Sequence, residues 1–448
     1  MDNNSNLAQD LIANRNLKSD PSERFKKFSL NFNPFPRAGI SDLNSSAFLI
    51  KKLEPVDKQV KEAVGEYIVD SLFPQNTSSS DKYLSAVVRG EYGMGKTQTL
   101  LYAKLVLESF SEIKDYNKKP YVVYIDNPGA KLSELIGSII SQIGEENFKR
   151  YLWNIAFEGI AANKKFKDAL LNFKPLGVTL FDSFENHVDP FDAVNLVNYK
   201  TFLDAWYSKV FQFSSNTKKK KEFLDTLKDF IVTILTNKFE NSTVALYFYE
   251  LLSENIGINK TWEMITSGSA KGLEKKEVYI IRAIVKLIED QGFSDFYILV
   301  DEFEAVTAGR LSTSEIDRYV TNLRALIDKE RNWCAMFAMT GFALSRLKNV
   351  SPPLAERISS RVIELKNLNL ERSKKLTVNY LNLARKESNL LTPFDETAIE
   401  ALRAKSQGIL RVFLKSCYTL LQRASEELKK GQKIDSAFVN KYFQVEEE

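Results

Sequence analysis

One short glycine-rich segment has the residue types and the spacing needed to hold a chain of phosphates. Its sequence is GEYGMGKT, at residues 90–97. Glycines let backbone N–H groups turn toward an anion, and the positive dipole end of a following helix adds to the attraction. Lys96 can then reach the β- and γ-phosphates of a nucleotide, and the Thr97 hydroxyl can bind Mg²⁺. The residues predicted to contact the nucleotide are Gly90, Glu91, Tyr92, Gly93, Met94, Gly95, Lys96, Thr97 and Gln98.

The alternative for this segment is a chance glycine turn ahead of a helix. Its flanks disfavour that alternative, because an apolar strand is predicted at 84–88 and a helix from about Lys96 to Phe110. A strand, a glycine loop and a helix in this order are the structural context that a phosphate loop requires. We call residues 90–97 the phosphate loop.

Two carboxylates follow a second apolar strand. Phe296 to Val300 is predicted as a buried strand, and Asp301 and Glu302 come directly after it. A carboxylate at the carboxyl end of a parallel strand faces the crevice in which ligands bind. Asp301 is predicted to hold Mg²⁺, and Glu302 to orient and activate the attacking water. The alternative is that these acidic residues merely cap a helix, and the presence of a phosphate loop elsewhere in the chain disfavours it. Glu304, two residues further on, is predicted to be exposed to solvent.

Four more polar residues are weak signals singly but informative in their order. Thr340 ends the next predicted strand, where a hydroxyl suits contact with the γ-phosphate. Arg357 and Arg361 lie before and at the start of a further strand. Arg411 lies among the C-terminal helices, in the sequence GILR.

This order of motifs resembles that of the AAA+ ATPases, in particular their origin-recognition-like branch and its bacterial relatives in phage-defence and transposition loci. The sequence SSRVIELKNL at 359–368, followed by helices that carry GILR, is similar to the arginine finger and second sensor of that branch. Residues 261–304 are also similar to the ATP-binding proteins of bacteriophage-exclusion (BREX) systems. The resemblance covers residues 31–141 and 261–430.

The resemblance implies that Arg361 is a finger acting on the nucleotide of a neighbouring subunit and that Arg411 is a second sensor. Arg357 is the alternative finger, and a salt-bridging surface arginine is the alternative role for each. A finger acting across a subunit boundary implies a homo-oligomer, either a ring or a filament. No winged helix is expected after the lid, so DNA contact would come from the ATPase surface, an inserted segment or a partner.

The elements that must position these residues alternate between strand and helix, which predicts a parallel sheet covered on both faces. The predicted fold is a three-layer α/β P-loop core with an inserted helical subdomain and an all-helical lid. Its predicted parts are a polar leader (1–30), the first part of the ATPase core with the phosphate loop (31–143), the inserted subdomain (144–260), the second part of the core with acidic strand end, sensor and finger (261–368), and the lid (369–448).

The inserted segment is rich in Phe, Tyr, Trp and Lys and is mostly helical in its apolar period. Its aromatic residues are predicted to be core rather than a platform for stacking bases. Lys218 to Lys221 are predicted as a solvated loop, and His187 as a loop residue. We expect this segment to carry contacts to a partner protein.

The amino-acid composition excludes several other classes of protein and of site. The chain has 448 residues, 44% hydrophobic and 27% charged, which excludes wholesale disorder and a fibrous fold. Its net charge of +4 permits nucleic-acid contact without arguing for it. A single histidine excludes a multi-histidine zinc site, and Cys334 and Cys417 are predicted as buried, reduced thiols. No apolar run has the length of a membrane span or signal peptide, so a cytoplasmic protein without membrane partners is expected.

Together these features predict Mg²⁺-dependent ATP hydrolysis by an oligomer. The protein would act as a motor, loader or switch on DNA or on a nuclease or similar effector, with antiviral defence as one setting. The rival is an ATP-binding sensor or scaffold whose nucleotide state controls assembly and whose hydrolysis is slow. A small-molecule kinase is a distant third, because those cores are shorter and lack the lid. The preference for ATP over GTP follows from the resemblance alone.

Overall fold

A computed structural model describes residues 21–38, 54–74, 82–171, 198–205, 217–267, 273–307, 311–386 and 388–443. Its helices and strands follow in this order: α1 (Pro21–Lys26), α2 (Lys58–Leu72), β1 (Ser85–Arg89), α3 (Lys96–Ser109), β2 (Pro120–Ile125), α4 (Leu132–Ile143), α5 (Glu145–Ala162), α6 (Lys164–Leu171), α7 (Tyr199–Ala205), α8 (Thr217–Phe239), α9 (Ser242–Leu252), α10 (Ile258–Ser267), α11 (Leu273–Asp290), β3 (Asp295–Val300), α12 (Glu304–Thr307), α13 (Thr313–Lys329), β4 (Cys334–Met339), α14 (Gly341–Val350), α15 (Pro352–Ile358), β5 (Arg361–Glu364), α16 (Leu370–Leu381), α17 (Glu396–Lys405), α18 (Leu410–Glu427) and α19 (Ser436–Tyr442).

The five strands form one all-parallel sheet in the order β2-β3-β4-β1-β5. The sequences DFYILV of β3 and CAMFAM of β4 are buried along their whole length. Such continuous apolar strands are typical of the centre of a parallel sheet covered on both faces. The predicted mixed α/β fold with a parallel sheet is confirmed. The strand order also brings the carboxyl ends of β3, β4 and β1 together at one edge.

The two faces of the sheet bury separate apolar cores. One core lies between the sheet and helices α2 and α3, and includes Tyr67, Leu100 and Met336. The other face is covered by α4, α11 and α13, among others, and includes Ile136, Ile284 and Leu323. The sheet is therefore the middle of three layers.

The helices of residues 144–260 add a further layer on the second face. Helices α5 and α8 pack on each other and on α11, which itself lies against β3. Trp153 and Phe248 of this layer belong to the same continuous core as Val123 and Ile298 of the sheet. The aromatic residues described here are thus core, as predicted, and this layer shares its core with the sheet. The boundaries of an inserted subdomain stay a prediction.

The C-terminal helices α16–α19 surround a core of their own, and the N-terminal segment, residues 21–38, packs into it. Its buried apolar side chains are Phe25, Phe28, Leu30 and Phe35. The ring of Phe35 stacks on Tyr380 at 5.5 Å between centroids, and Lys27 Nζ donates to the carbonyl oxygens of Ser425 at 2.8 Å and Leu428 at 2.5 Å. Residues 21–30, predicted as part of a loose leader, instead contribute apolar anchors; residues 1–20 lie outside the described residues.

Two helix starts show how local chemistry sets the elements. Asp57 caps α2, its carboxylate accepting the N–H of Gln59, so the helix predicted from about Pro55 begins at Lys58. The predicted capping box of Ser312 and Glu315 is present at the start of α13.

The lysine run of residues 218–221 differs from its prediction. It lies in the first turns of α8 rather than in a loop, and its side chains are exposed. Lysine is a good helix former, so the apolar period that starts at Phe223 extends back through the run. The lysine side chains were correctly predicted to be exposed to solvent. The backbone was wrongly predicted to be a loop.

The remaining composition-based predictions are partly testable. Cys334 and Cys417 are both buried, and neither forms a disulfide within the described part of the chain, as predicted. His187 lies outside the described residues. Among the helices that the structure describes, none combines the length and apolarity needed to cross a bilayer.

Candidate functional site

The phosphate loop joins β1 to α3 and depends on two left-handed glycines. Gly93 has φ +76° and Gly95 has φ +97°, a region that side chains disfavour. A Cβ on Gly95 would lie 2.9 Å from Cδ2 of Leu410, and one on Gly93 would lie 3.0 Å from Cγ2 of Ile409. The loop therefore needs glycine both for its backbone turn and for its close approach to α18.

The backbone of the loop is suited to an anion. Within the described part of the chain, the N–H groups of Gly93, Gly95, Lys96 and Thr97 donate to no protein acceptor. Those of Lys96 and Thr97 belong to the first turn of α3, where the helix dipole is positive. Unpaired donors at a helix N-terminus fit a polyphosphate.

Lys96 is held inside the loop rather than in solvent, with a side chain that is 8% exposed. Its Nζ donates to the carbonyl oxygen of Gly90 at 3.0 Å and lies 5.0 Å from the ring centre of Tyr92. Its ammonium is thereby held within the phosphate loop.

Asp301 follows β3 and is 3% exposed. Its Oδ1 accepts the N–H of Glu302 at 2.9 Å, and its Oδ2 accepts the hydroxyl of Tyr124 at 2.9 Å. Burial, and then the charge of Asp301, raise the pKa of Tyr124, so this hydroxyl stays a donor. Tyr124, at the end of β2, is a site residue that the sequence analysis missed.

A magnesium ion at this edge would have few protein ligands. Among the described residues, no group of three or more His, Cys, Asp or Glu side chains forms a metal site by itself. Mg²⁺ commonly takes one or two protein ligands and completes its shell with water and substrate phosphates. Thr97 and Asp301 fit such a metal–nucleotide complex.

Glu302 is exposed and has φ +48°, the left-handed region, although it is not glycine. A non-glycine residue held there costs about 1–3 kcal/mol, and such strain clusters at functional sites. Partial burial, followed by the negative charges of Glu304, Glu302 and Glu91, raises the pKa of Tyr92.

Glu304 corrects the sequence analysis, which predicted a solvated side chain. It is 6% exposed, and its Oε1 lies 3.5 Å from Lys96 Nζ. Among the described residues, none donates a hydrogen bond to its Oε2. Burial raises the pKa of Glu304, and the nearby ammonium of Lys96 partly opposes that rise. The residue was misjudged because a charged residue four positions past the end of a strand is usually exposed.

Thr340 directly follows β4, the strand next to β1, and is 4% exposed. Its hydroxyl oxygen accepts the N–H of Ala343 at 3.2 Å and so caps α14. The hydroxyl proton remains available as a donor. The next residue, Gly341, donates its N–H to Oε1 of Glu91 at 3.3 Å, which ties this strand end to the phosphate loop.

Arg411 is also brought to the loop. It lies in the first turn of α18, and its N–H donates to the carbonyl oxygen of Gly93 at 3.0 Å. Its side chain is exposed. The C-terminal helices therefore contact the phosphate loop directly through the residue predicted as second sensor.

The two candidate finger arginines lie away from the loop. Arg361 is in register with Ala86 at the amino end of β5, whereas the loop follows the carboxyl end of β1. The guanidinium of Arg361 pairs with Asp70, and with Glu66 at 3.7 Å.

Arg357 is also engaged within its own chain. Its guanidinium pairs with Asp328 and donates to the carbonyl oxygen of Pro353 at 2.9 Å. In the part of the chain that the structure describes, neither arginine has an ion pair or hydrogen bond to its own phosphate loop.

An apolar cleft lies beside the phosphate loop, and it was not predicted from the sequence. We call it the base cleft; its walls are Pro55, Val56, Val60, Met94, Leu365, Leu368, Leu376 and Leu410, with Asp57, Gln98, Thr99, Lys366 and Arg372 as polar members. Arg372 pairs with Asp57 at 2.7 Å and so links α16 to the start of α2. Because the walls come from four segments that are far apart in the chain, no local motif marks the cleft.

Comparison with models of known protein families finds no match for this chain, and comparison with curated proteins finds none either. The chemistry of the site therefore rests on its residues and their geometry.

Proposed function

We propose that this protein binds ATP with Mg²⁺ at the phosphate loop and hydrolyses it as an AAA+-type ATPase. The observation that carries the proposal is the meeting of three strand ends at one edge of the sheet. The phosphate loop follows β1, Asp301 and Glu302 follow β3, and Thr340 follows β4. A cation, a pair of carboxylates and a hydroxyl donor at the carboxyl edge form the set that phosphoryl transfer to water requires.

Each residue has a distinct role in this proposal. Lys96 and the free N–H groups of the loop bind the β- and γ-phosphates and offset their charge. Bound by Thr97 and Asp301, Mg²⁺ would supply further charge neutralisation. Glu302 accepts the proton of the attacking water, and Thr340 donates a hydrogen bond to the γ-phosphate.

The base cleft supports a nucleoside as the ligand. It opens beside Gly95, Gln98 and Thr99, and Leu365, which directly follows β5, also lines it. An apolar slot next to a phosphate site suits a purine ring, because ligand sites combine apolar walls with a few polar groups.

The place of Arg361 supports an oligomer as part of the proposal. A guanidinium at the amino end of β5 cannot serve its own loop at the opposite end of the sheet, but it can serve that of a neighbouring subunit. We propose Arg361 as this finger and Arg357 as the alternative. Work on DNA or on an effector such as a nuclease, in the cytoplasm and in a setting such as antiviral defence, remains part of the proposal.

A sensor or scaffold is the second candidate, and one contact favours it. Since Arg411 N–H bonds directly to Gly93, a nucleotide that reshapes the loop would move α18. Binding alone could then change the surface offered to a partner, with hydrolysis as a slow reset.

The test compares nucleotide binding and hydrolysis in the unmodified protein, Lys96→Ala and Glu302→Gln. We expect Lys96→Ala to abolish tight binding and Glu302→Gln to bind normally without turnover. Turnover in the unmodified protein with and without duplex DNA separates the motor from the sensor. Hydrolysis by Glu302→Gln at the unmodified rate would remove Glu302 as the base, and absence of nucleotide binding would refute the proposal.

A further inference from the structure

A buried ion pair occupies the centre of the candidate phosphate site. The carboxylate of Glu304 lies 3.5 Å from Nζ of Lys96, and both side chains are 8% exposed. Lys96 is the cation that the phosphates of a nucleotide would use. The pair therefore engages the same ammonium that the ligand needs.

Glu304 depends on Lys96 for its charge balance. Its Oε2 is buried, and no residue that the structure describes donates a hydrogen bond to it. Across the described residues, Lys96 is the only cation within ion-pair distance of Glu304. A buried carboxylate that loses its one cation pays a large desolvation penalty.

The neighbouring carboxylates are arranged differently. Both oxygens of Asp301 already accept hydrogen bonds, from Tyr124 and from the backbone of Glu302. Glu302 is exposed and can be solvated. Only Glu304 combines burial, an unsatisfied oxygen and the phosphate-loop lysine.

We propose that Glu304 is the counter-ion of Lys96 in the nucleotide-free protein, and that a polyphosphate binds by displacing this carboxylate from the ammonium. The inference rests on the proposed nucleotide site and adds a competitor built into it. The pair stabilises the protein before polyphosphate binds, and the free energy needed to separate the pair lowers the affinity for polyphosphate. Glu304 thus acts through Lys96, as a positioning residue.

The first test needs no nucleotide. Thermal unfolding is measured for Lys96→Met, Glu304→Gln and the double variant. We expect Lys96→Met to lower Tm because it leaves Glu304 buried and unpaired, and we expect Glu304→Gln to restore most of that loss in the double variant. Additive effects of the two substitutions would overturn the pairing.

A matched control pair lies on α3. Lys104 and Glu108 are 3.4 Å apart but are 32% and 45% exposed. Lys104→Met, Glu108→Gln and their double variant should shift Tm little and show almost no coupling, since exposed pairs contribute little. Coupling as large as that of the buried pair would contradict the special role of Glu304.

The second test measures tripolyphosphate binding by calorimetry in metal-free buffer. Glu304→Gln is expected to bind about tenfold more tightly than the unmodified protein, because the competing carboxylate is gone. Glu302→Gln, which removes the same charge from the exposed neighbour, is expected to bind with a much smaller gain.

The outcomes separate the inference from the proposed function. Equal affinities of Glu304→Gln and the unmodified protein would overturn displacement while leaving nucleotide binding intact. A gain of the same size in Glu302→Gln would assign the effect to general repulsion and also overturn it. Failure of the unmodified protein to bind tripolyphosphate or ATP would refute the nucleotide site itself, whatever the unfolding data show.

Discussion

The hydroxyl of Tyr124 donates a 2.9 Å hydrogen bond to Oδ2 of Asp301 and so joins the carboxyl ends of β2 and β3. The backbone N–H of Asp301 also donates to the carbonyl oxygen of Ile125 at 2.7 Å. With Oδ1 occupied by the N–H of Glu302, the carboxylate is fixed in orientation. An oriented carboxylate is what a magnesium complex with few protein ligands needs.

Tyr124→Phe should therefore weaken metal-dependent nucleotide binding by about tenfold, the lower end of the effect of removing a supporting hydrogen bond. Binding in metal-free buffer should not change. Calorimetric titration with ATP, with and without Mg²⁺, measures both. The matched control is Tyr121→Phe in the same strand, whose ring packs on Phe293; an equal loss in that variant would exclude a specific role for Tyr124.

Glu302→Gly should raise the free energy of unfolding by roughly 1 kcal/mol, because glycine removes the cost of the left-handed backbone. The same change should stop ATP turnover by removing the proposed base. Chemical denaturation and a phosphate-release assay test the two effects. Ser29, at φ +60° in the N-terminal segment, provides the control. Ser29→Gly should gain stability and keep turnover, and loss of stability in Glu302→Gly would show that its backbone is unstrained.

Arg361→Ala should lower turnover by as much as ~10³-fold while leaving the nucleotide affinity of an isolated subunit nearly unchanged. Its partly exposed pairs with Asp70 and Glu66 should contribute less than about 1 kcal/mol to stability. Asp70→Asn, which removes the partner but keeps the guanidinium, should retain turnover. Equal loss of turnover in both variants would show that turnover depends on the ion pair and not on an arginine finger.

Mixing subunits tests whether Arg361 acts between them. Arg361→Ala protein keeps an intact phosphate loop, and Lys96→Ala protein keeps an intact finger. Their mixture should regain part of the turnover that each lacks alone. No recovery at any ratio, with oligomers shown by light scattering, would point to a structural arginine or to Arg357.

Val56→Trp should fill the base cleft and weaken ATP binding at least ~10-fold, while tripolyphosphate binds as before. Val69→Trp places the same ring on the exposed face of α2, where the valine is 51% exposed, and should affect neither ligand. Competition binding with both ligands distinguishes the two variants. A parallel loss of tripolyphosphate binding would mean that the tryptophan distorts the phosphate loop instead of blocking a base.

The residues at the strand ends could be predicted from the sequence because a parallel sheet leaves little freedom there. Once β1 and β3 are recognised as buried parallel strands, Gly90 and Asp301 must emerge at the same edge. Register then decides which residues meet, and Thr340 follows from β4 in the same way. Three motifs far apart in the chain became neighbours through this single rule.

Burial and long-range packing could not be predicted in the same way. Glu304 is buried because α12 packs against α14, and nothing in the sequence near Glu304 indicates that contact. The base cleft needs Val56, Gly95 and Leu410 together, although no local pattern relates them. Phe25 and Phe35 lie in a polar stretch of sequence, so their burial could not be predicted from it. The residues that bury them lie in the C-terminal helices.

The packing of the N-terminal segment on α18 also constrains the order in which the chain can fold while it is being synthesised. Lys27 donates to the carbonyl oxygen of Ser425, 398 positions later. During translation, Phe25, Phe28 and Phe35 leave the ribosome long before the helices that bury them. Contacts of such long sequence separation form late and leave apolar surface open to aggregation until then. The segment would therefore be the last part of the described fold to pack into place. A chaperone that covers its apolar side chains until then would raise the yield of folded protein.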